Sequence, residues 1–255
     1  MTQPLSGRTV LVTRPLHQAA ALAQAIRSAG GAAYEFPALD IEGVPGDELG
    51  VPPAQLADAD IMIFISPNAV QFGMAAIQAA GRLSSSTAIF AVGPGTARAL
   101  QAQGLTQVIT PEGQDSEALL ALPQLQDVAG KRVVIVRGVG GRALLADTLR
   151  ERGADVHFME CYRRMRPQAD ASPLLAHWQA GGIDAVTVTS AEALHNLSAL
   201  LGEAGAPLLV TTALFAPHER IAEAARRFGI AHVIATQGGD AGLVKGLIDW
   251  FRDNP

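Results

Sequence analysis

Two arginines close strand-like segments, and they are the first groups in this sequence with an evident chemical use. Arg14 ends Thr-Val-Leu-Val-Thr-Arg, and Arg137 ends Arg-Val-Val-Ile-Val-Arg. A guanidinium offers a planar fork of donors that matches a carboxylate or a phosphate. Arg142 closes the run Gly138-Val139-Gly140-Gly141-Arg142, which reads either as an anion loop or as a plain turn. Lys131 and Lys245 are the only lysines. Between Arg132 and Arg166 eight arginines face four acids, Asp147, Glu151, Asp155 and Glu160. Codon bias explains such a preference as readily as a demand for bidentate donors does. A surface ion pair is the plain alternative for Arg14 and for Arg137.

Hydroxyls form a second set. Ser66-Pro67-Asn68 and Thr189-Ser190 each lie between a strand pattern and a helix pattern. Serine there suits an N-cap and proline the first helical position, so capping alone competes with ligand contact. Gly93-Pro94-Gly95-Thr96 is a glycine turn into a helix, which lets a ligand approach backbone N–H groups. It matches neither nucleotide-binding glycine pattern. Tyr162 carries a phenol that stays protonated at neutral pH and can donate; packing between domains is its other reading. Of the six histidines, His218 alone falls in a strand-to-helix loop, and no pair has metal-ligand spacing with a third ligand nearby, so no metal is expected. Serine-hydrolase chemistry has no G-x-S-x-G elbow to rest on.

These groups are positioned by a unit written twice. Gly7 to Arg14 corresponds to Gly130 to Arg137. Helix patterns follow, Ala20 to Ala29 and Leu144 to Arg152, each ended by glycine, where a helix favours a left-handed residue. Short strands come next, Ala33 to Phe36 and Asp155 to Met159. The strand–serine–helix segments around Ser66 and Ser190 correspond, as do Ala88 to Val92 and Leu208 to Phe215, here both read as strands. Final helices are expected over Ser116 to Leu125 and Ala241 to Phe251. About five strands per copy with helices between them imply parallel βαβ units.

The fold class is therefore α/β: two flavodoxin-like doubly wound parallel-sheet domains, derived from an internal repeat, with a cleft between them. Proline, glycine and acids cluster at Leu39 to Pro53, and Arg163 to Pro173 breaks the second copy at the same place. The chain is expected to cross between domains twice, near 37–40 and 162–166. Domain one is then discontinuous, 1–37 with 166–255, and domain two is 40–162.

Composition narrows the class of function. The 255 residues are 49% hydrophobic and 17% charged, enough apolar material for sheets buried on both faces. Net charge is −5, which does not favour a nucleic-acid partner. Apolar runs such as Ile61 to Ile65 are strand-sized, so no membrane span is expected. A single cysteine, Cys161, permits no internal disulfide or thiolate cluster. With no signal core at the start, the chain is expected to be soluble and cytoplasmic.

The motifs Val12-Thr13-Arg14-Pro15, Ser66-Pro67-Asn68-Ala69-Val70, Ala91 to Ala97, Arg137-Gly138 with Gly141-Arg142, Tyr162-Arg163-Arg164 and Thr189-Ser190 together resemble the uroporphyrinogen-III synthase family. The likeness runs over nearly the whole chain. It implies two flavodoxin-like domains on a two-segment linker, and a linear tetrapyrrole substrate, hydroxymethylbilane, with eight carboxylates. It implies cyclisation with inversion of ring D and loss of water, by a lyase without metal or organic cofactor. Tyr162 is the implied assistant to hydroxyl departure. Arg14, Ser66, Asn68, Gly93, Thr96, Arg137, Arg142, Thr189, Ser190 and His218 are the expected substrate contacts. Ile221 departs from the pattern, standing where the second copy would repeat Thr96. The resemblance also implies a monomer, with transient contact to the preceding pathway enzyme. Two other readings compete: a two-domain binding or regulatory protein for an acidic ligand, without catalysis, and a glycosyltransferase with two Rossmann-like domains.

Overall fold

The computed structural model describes residues 3–80, 84–113 and 115–254. It divides into two compact units, Met1–Asp40 with Met165–Pro255, and Ile41–Arg164.

The first unit holds a five-stranded sheet. Its strands are β1 (Thr9–Val12), β2 (Ala32–Glu35), β9 (Ala185–Thr187), β10 (Ala213–Ala216) and β11 (Val233–Ala235). Their order is β2-β1-β9-β10-β11, and every pairing is parallel. The second unit adds β3 (Asp40–Gly43), β4 (Ile61–Phe64), β5 (Ala88–Ala91), β6 (Val108–Ile109), β7 (Arg132–Gly138) and β8 (Asp155–Met165), in the order β3-β8-β7-β4-β5-β6. Counted by position in the repeat and leaving out β3, both sheets have the 2-1-3-4-5 order of the doubly wound flavodoxin class; in chain order the second runs 5-4-1-2-3. The two parallel sheets expected from the repeat are present. Each takes its first two strands from one copy and the other three from the other copy.

Alternate residues along each strand feed two cores, because helices cover both faces. In the first unit Leu11, Val186 and Leu214 pack with Leu174, Leu197 and Ala222 on one face. Val10, Val12 and Phe215 pack with Leu22, Leu243 and Leu247 on the other. In the second unit Met62, Phe64, Val134 and Val136 join Val70, Met74 and Leu100. Ile61, Ile63, Val133 and Ile135 join Leu119, Leu145 and Leu149.

Helices α1 (Leu16–Ser28), α6 (Leu144–Glu151), α9 (Glu219–Phe228) and α10 (Gly239–Asp253) lie where the repeat places them, α1 opening earlier than Ala20. Three local expectations are overturned. Residues 39–53 form more than a break, since they carry β3 and a short 3-10 helix at Gly46–Glu48. Helix α5 (Ser116–Leu120) stops short of Leu125, and Pro123 begins a separate 3-10 turn, because proline supplies no N–H to extend the first helix. Leu208-Leu209-Val210 is helical: α8 (Ala191–Thr211) breaks at Gly202 and resumes through Pro207, burying Leu209. A short apolar run alone does not distinguish strand from buried helix.

Candidate functional site

In the second unit, β4 ends at Phe64 and α3 (Pro67–Ala80) begins three residues later. Ser66 Oγ accepts the Ala69 N–H at 3.0 Å, which caps the helix. The same oxygen lies 3.1 Å from the Tyr162 hydroxyl. Ser66 is half-buried, whereas Tyr162 is 2% exposed, its ring 6.0 Å from that of Phe72. Arg164 holds its guanidinium carbon 5.8 Å from the Tyr162 ring centroid.

A ladder irregularity delivers this pairing. On β8, Val156 and Phe158 face one core and Met159 and Cys161 the other. Regular alternation would send Tyr162 with Phe158. Between Arg137 and Gly138 the register slips, so that Arg137 faces Glu160 and Gly138 faces Tyr162. The slip turns Tyr162 into the core of Cys161 and towards Ser66, the kind of re-aiming that bulges perform. Gly138 has to be glycine, because a Cβ there would come within 2.6 Å of the Tyr162 ring.

Arg137 lies on the opposite face of the same strand end. It is 6% exposed, with its guanidinium 4.6 Å from the Phe158 ring centroid. Its Nε donates to the Gly138 carbonyl at 3.1 Å and lies 3.8 Å from Glu160. The side chain lines a cavity of about 230 Å³ at the C-terminal ends of β4, β5 and β7, shared with Ile65, Val92, Asp115 and Arg142. Arg142 is exposed and 3.3 Å from Glu117. Cys161 is buried nearby and contacts the Ala69 and Arg137 carbonyls at 3.6 and 3.4 Å. Burial pushes its thiol up to about 12, so it does not serve as a nucleophile.

In the first unit, Arg14 bonds Asp240 of α10 at 2.6 Å. Thr13 and Thr187 bridge β1 and β9 reciprocally: Thr13 Oγ1 donates to the Thr187 carbonyl at 2.7 Å, and Thr187 Oγ1 to the Leu11 carbonyl at 3.1 Å. Ser190 caps α8, accepting the Ala193 N–H at 3.0 Å, and Thr189 precedes it, half-buried. His218 occupies the N-cap position of α9, exposed, without a side-chain capping bond.

The structure thus joins Ser66 with Tyr162, and Arg137 with Arg142. Asn68 lies in the first turn of α3, and Gly93 is the N-cap of α4 (Pro94–Ala102). Thr96 is buried in that helix, and Ile221, where the second copy departs from it, is buried in α9. Asp240 and Asp115 were not singled out from the sequence, although they align in the repeat at the start of the last helix of each copy, Asp240 in the first turn of α10 and Asp115 as N-cap of α5. The repeat alignment held that signal.

Two doubly wound parallel sheets, with hydroxyls, a phenol and arginines at strand C-termini, define the class as a flavodoxin-like α/β protein of two units. The family model described as Uroporphyrinogen-III synthase HemD matches residues 20–245. The chain is 35% identical to the uroporphyrinogen-III synthase of Escherichia coli K12 over 91% of its own length and 96% of that protein. The synthase of Salmonella typhimurium is 37% identical over the same shares. Among solved structures, a mutant uroporphyrinogen III synthase from the extreme thermophile Thermus thermophilus covers 97% of this chain and 100% of its own, at TM-score 0.67 and 22% identity, which bears on the fold. The chain belongs to the uroporphyrinogen-III synthase family.

Proposed function

We infer that this chain closes linear hydroxymethylbilane to uroporphyrinogen III, inverting ring D and losing water, in tetrapyrrole (haem) biosynthesis. The observation that carries the reading is the likeness to curated synthases over 91% of the chain. The hydroxymethyl C–O bond breaks as a proton reaches the departing oxygen, leaving an electrophilic azafulvene and water. A substituted pyrrole carbon attacks to give a spiro intermediate, and the proton lost after rearrangement replaces the one supplied. Oxidation state is unchanged throughout, so the step calls for no electron carrier. The proposed class is a cofactor-independent, cyclising hydro-lyase, working as a cytoplasmic monomer. Among the described residues no helix is long and apolar enough to cross a membrane.

Tyr162 is the proposed proton source, acting through Ser66. The phenol is buried and meets Ser66 Oγ, which is the more exposed of the two. With one lone pair on the Ala69 N–H, that oxygen can accept the phenol proton on the other and pass its own outward. Asn68, Gly93, Thr96, Arg137, Arg142, Thr189, Ser190 and His218 are the proposed contacts for the eight carboxylates, and Arg14 joins them only by exchanging Asp240 for a substrate carboxylate. Arginines and helix-start amides suit anions. The uncatalysed closure does not invert ring D, so the protein's main task is to hold the chain in the inverting geometry.

The deciding assay gives purified protein hydroxymethylbilane and separates the uroporphyrinogen isomers. Isomer III is expected. Isomer I alone, at the spontaneous rate, would end the enzymatic reading.

A further inference from the structure

We propose that the cavity beside Arg137 is a subsite for one planar carboxylate, and that the protein itself shows the bound arrangement at the matching position of its other repeat. The inference deepens the proposed function and rests on it for the parent ligand, of which the carboxylate is one arm.

Arg14 and Arg137 end the corresponding first strands of the two copies. In the first unit, Arg14 binds the carboxylate of Asp240 at 2.6 Å, and its side chain is 15% exposed. In the second unit, Asp115 aligns with Asp240 in the repeat, stands as N-cap of α5 and lines the cavity with Arg137. There the two do not meet. Asp115 instead turns its Oδ1 to accept the Ala118 N–H at 2.8 Å and caps α5. Arg137 is the more deeply buried of the two arginines, its side chain 7% exposed.

Only one edge of the Arg137 guanidinium is used. Nε is taken by the Gly138 carbonyl, with Glu160 on the same side at 3.8 Å. Neither terminal nitrogen makes a hydrogen bond to another described residue. Nη2 lies against the backbone of Gly141, which also lines the cavity: a Cβ there would approach it to 2.7 Å, and the positive φ of 102° suits glycine as well. Donors turned to a cavity rather than to the protein are open to water or to a ligand that reproduces both bonds. The planar two-donor edge selects a carboxylate over a spherical anion. Phe158, Ile65 and Val92 supply apolar walls for the carbon stem behind such a group. The cavity of about 230 Å³ holds several water-sized groups, which fits a short acid arm and excludes a whole macrocycle. Arg142 at the rim adds a second, screened cation.

The test uses propionate as the probe on the full chain, followed by NMR at the Gly140, Gly141 and Ser116 amides and the Arg137 guanidinium. Saturable shifts in the millimolar range are expected, absent with the neutral isostere propionamide. Arg137→Gln should abolish them and Arg142→Gln weaken them about two- to fivefold, the span of an exposed ion pair. Asp240→Asn should create a second propionate site at Arg14. No saturable shift in the native protein would overturn the proposal, and that measurement does not depend on any variant folding. Sulfate binding more tightly than propionate at the same amides would overturn the carboxylate assignment. Binding that appears only in Asp115→Asn would show that the internal acid occupies the site, and would likewise overturn it. The isomer assay is read separately. Isomer III without propionate binding removes the subsite and leaves the reaction, whereas propionate binding with isomer I alone does the reverse.

Discussion

Ser66 Oγ and the Tyr162 hydroxyl lie 3.1 Å apart, although 96 positions of chain separate them. The contact links a helix cap to the end of the longest strand, and it has a kinetic consequence. Tyr162→Phe removes the proposed proton source but keeps the ring against Phe72. Turnover of hydroxymethylbilane is expected to fall well beyond tenfold, with the thermal midpoint little changed. Unchanged turnover would take Tyr162 out of the mechanism.

Ser66→Ala removes both the relay and the cap. It should cost about 1 kcal/mol of stability through the lost Ala69 bond, and turnover should fall as far as in Tyr162→Phe. Since the two groups act on one proton, the double variant should be scarcely slower than either single one. Multiplied losses would argue for separate roles.

Gly138→Ala tests the slipped register. Its new Cβ would meet the Tyr162 ring at 2.6 Å, so the ring must move. Overpacking of this kind costs about 1–3 kcal/mol. A lower denaturation midpoint, an altered near-ultraviolet tyrosine signal and reduced turnover should appear together. A fully active, equally stable variant would contradict the close approach.

Cys161 gives a pH prediction. Its thiol is held neutral up to about 12 in the folded chain, by burial, against an unfolded value of 9.0. A raised folded pKa means the folded state holds the proton where the unfolded state has released it. Its contribution is therefore complete below about pH 9 and is lost as pH rises towards 12. Stability measured against pH should bend downwards above about 9, and less so in Cys161→Ala. At about pH 8, below the unfolded thiol's own titration, a thiol reagent should label Cys161 only after unfolding. Rapid labelling of native protein would refute the burial.

Thr187→Val keeps the shape of the β1–β9 junction and deletes the hydroxyl that donates to the Leu11 carbonyl. A loss of about 1 kcal/mol in denaturant unfolding is expected, the usual net value of one buried hydrogen bond. No loss would mean that the hydroxyl contributes little at this junction.

The sheets were legible because parallel strands covered on both faces read as apolar runs, as in Ile61 to Phe64 and Val133 to Val136. The serine caps were legible from their place between strand and helix. The side on which Tyr162 falls was not, since a bulge depends on the partner strand and leaves no local mark beyond one glycine. The Arg14–Asp240 bond was hidden for a similar reason: the two lie 226 positions apart, and only the repeat connects them. Leu208 to Val210 misled because composition alone cannot distinguish a strand from the buried side of a helix.

The exchange of strand pairs between the copies also orders events in time. The Thr9 N–H is bonded to Asp184 at 2.7 Å across 175 positions, so β1 emerges from the ribosome long before its neighbour β9 exists. Every strand of the Ile41–Arg164 unit except the first residue of β3 and the last of β8 lies within one continuous stretch. That middle unit can close during synthesis, while β1 and β2 wait with an unpaired apolar edge. Such edges invite wrong partners, and distant pairings form slowly. Of the strands described, the earliest made are thus the last to gain a neighbour from the other copy.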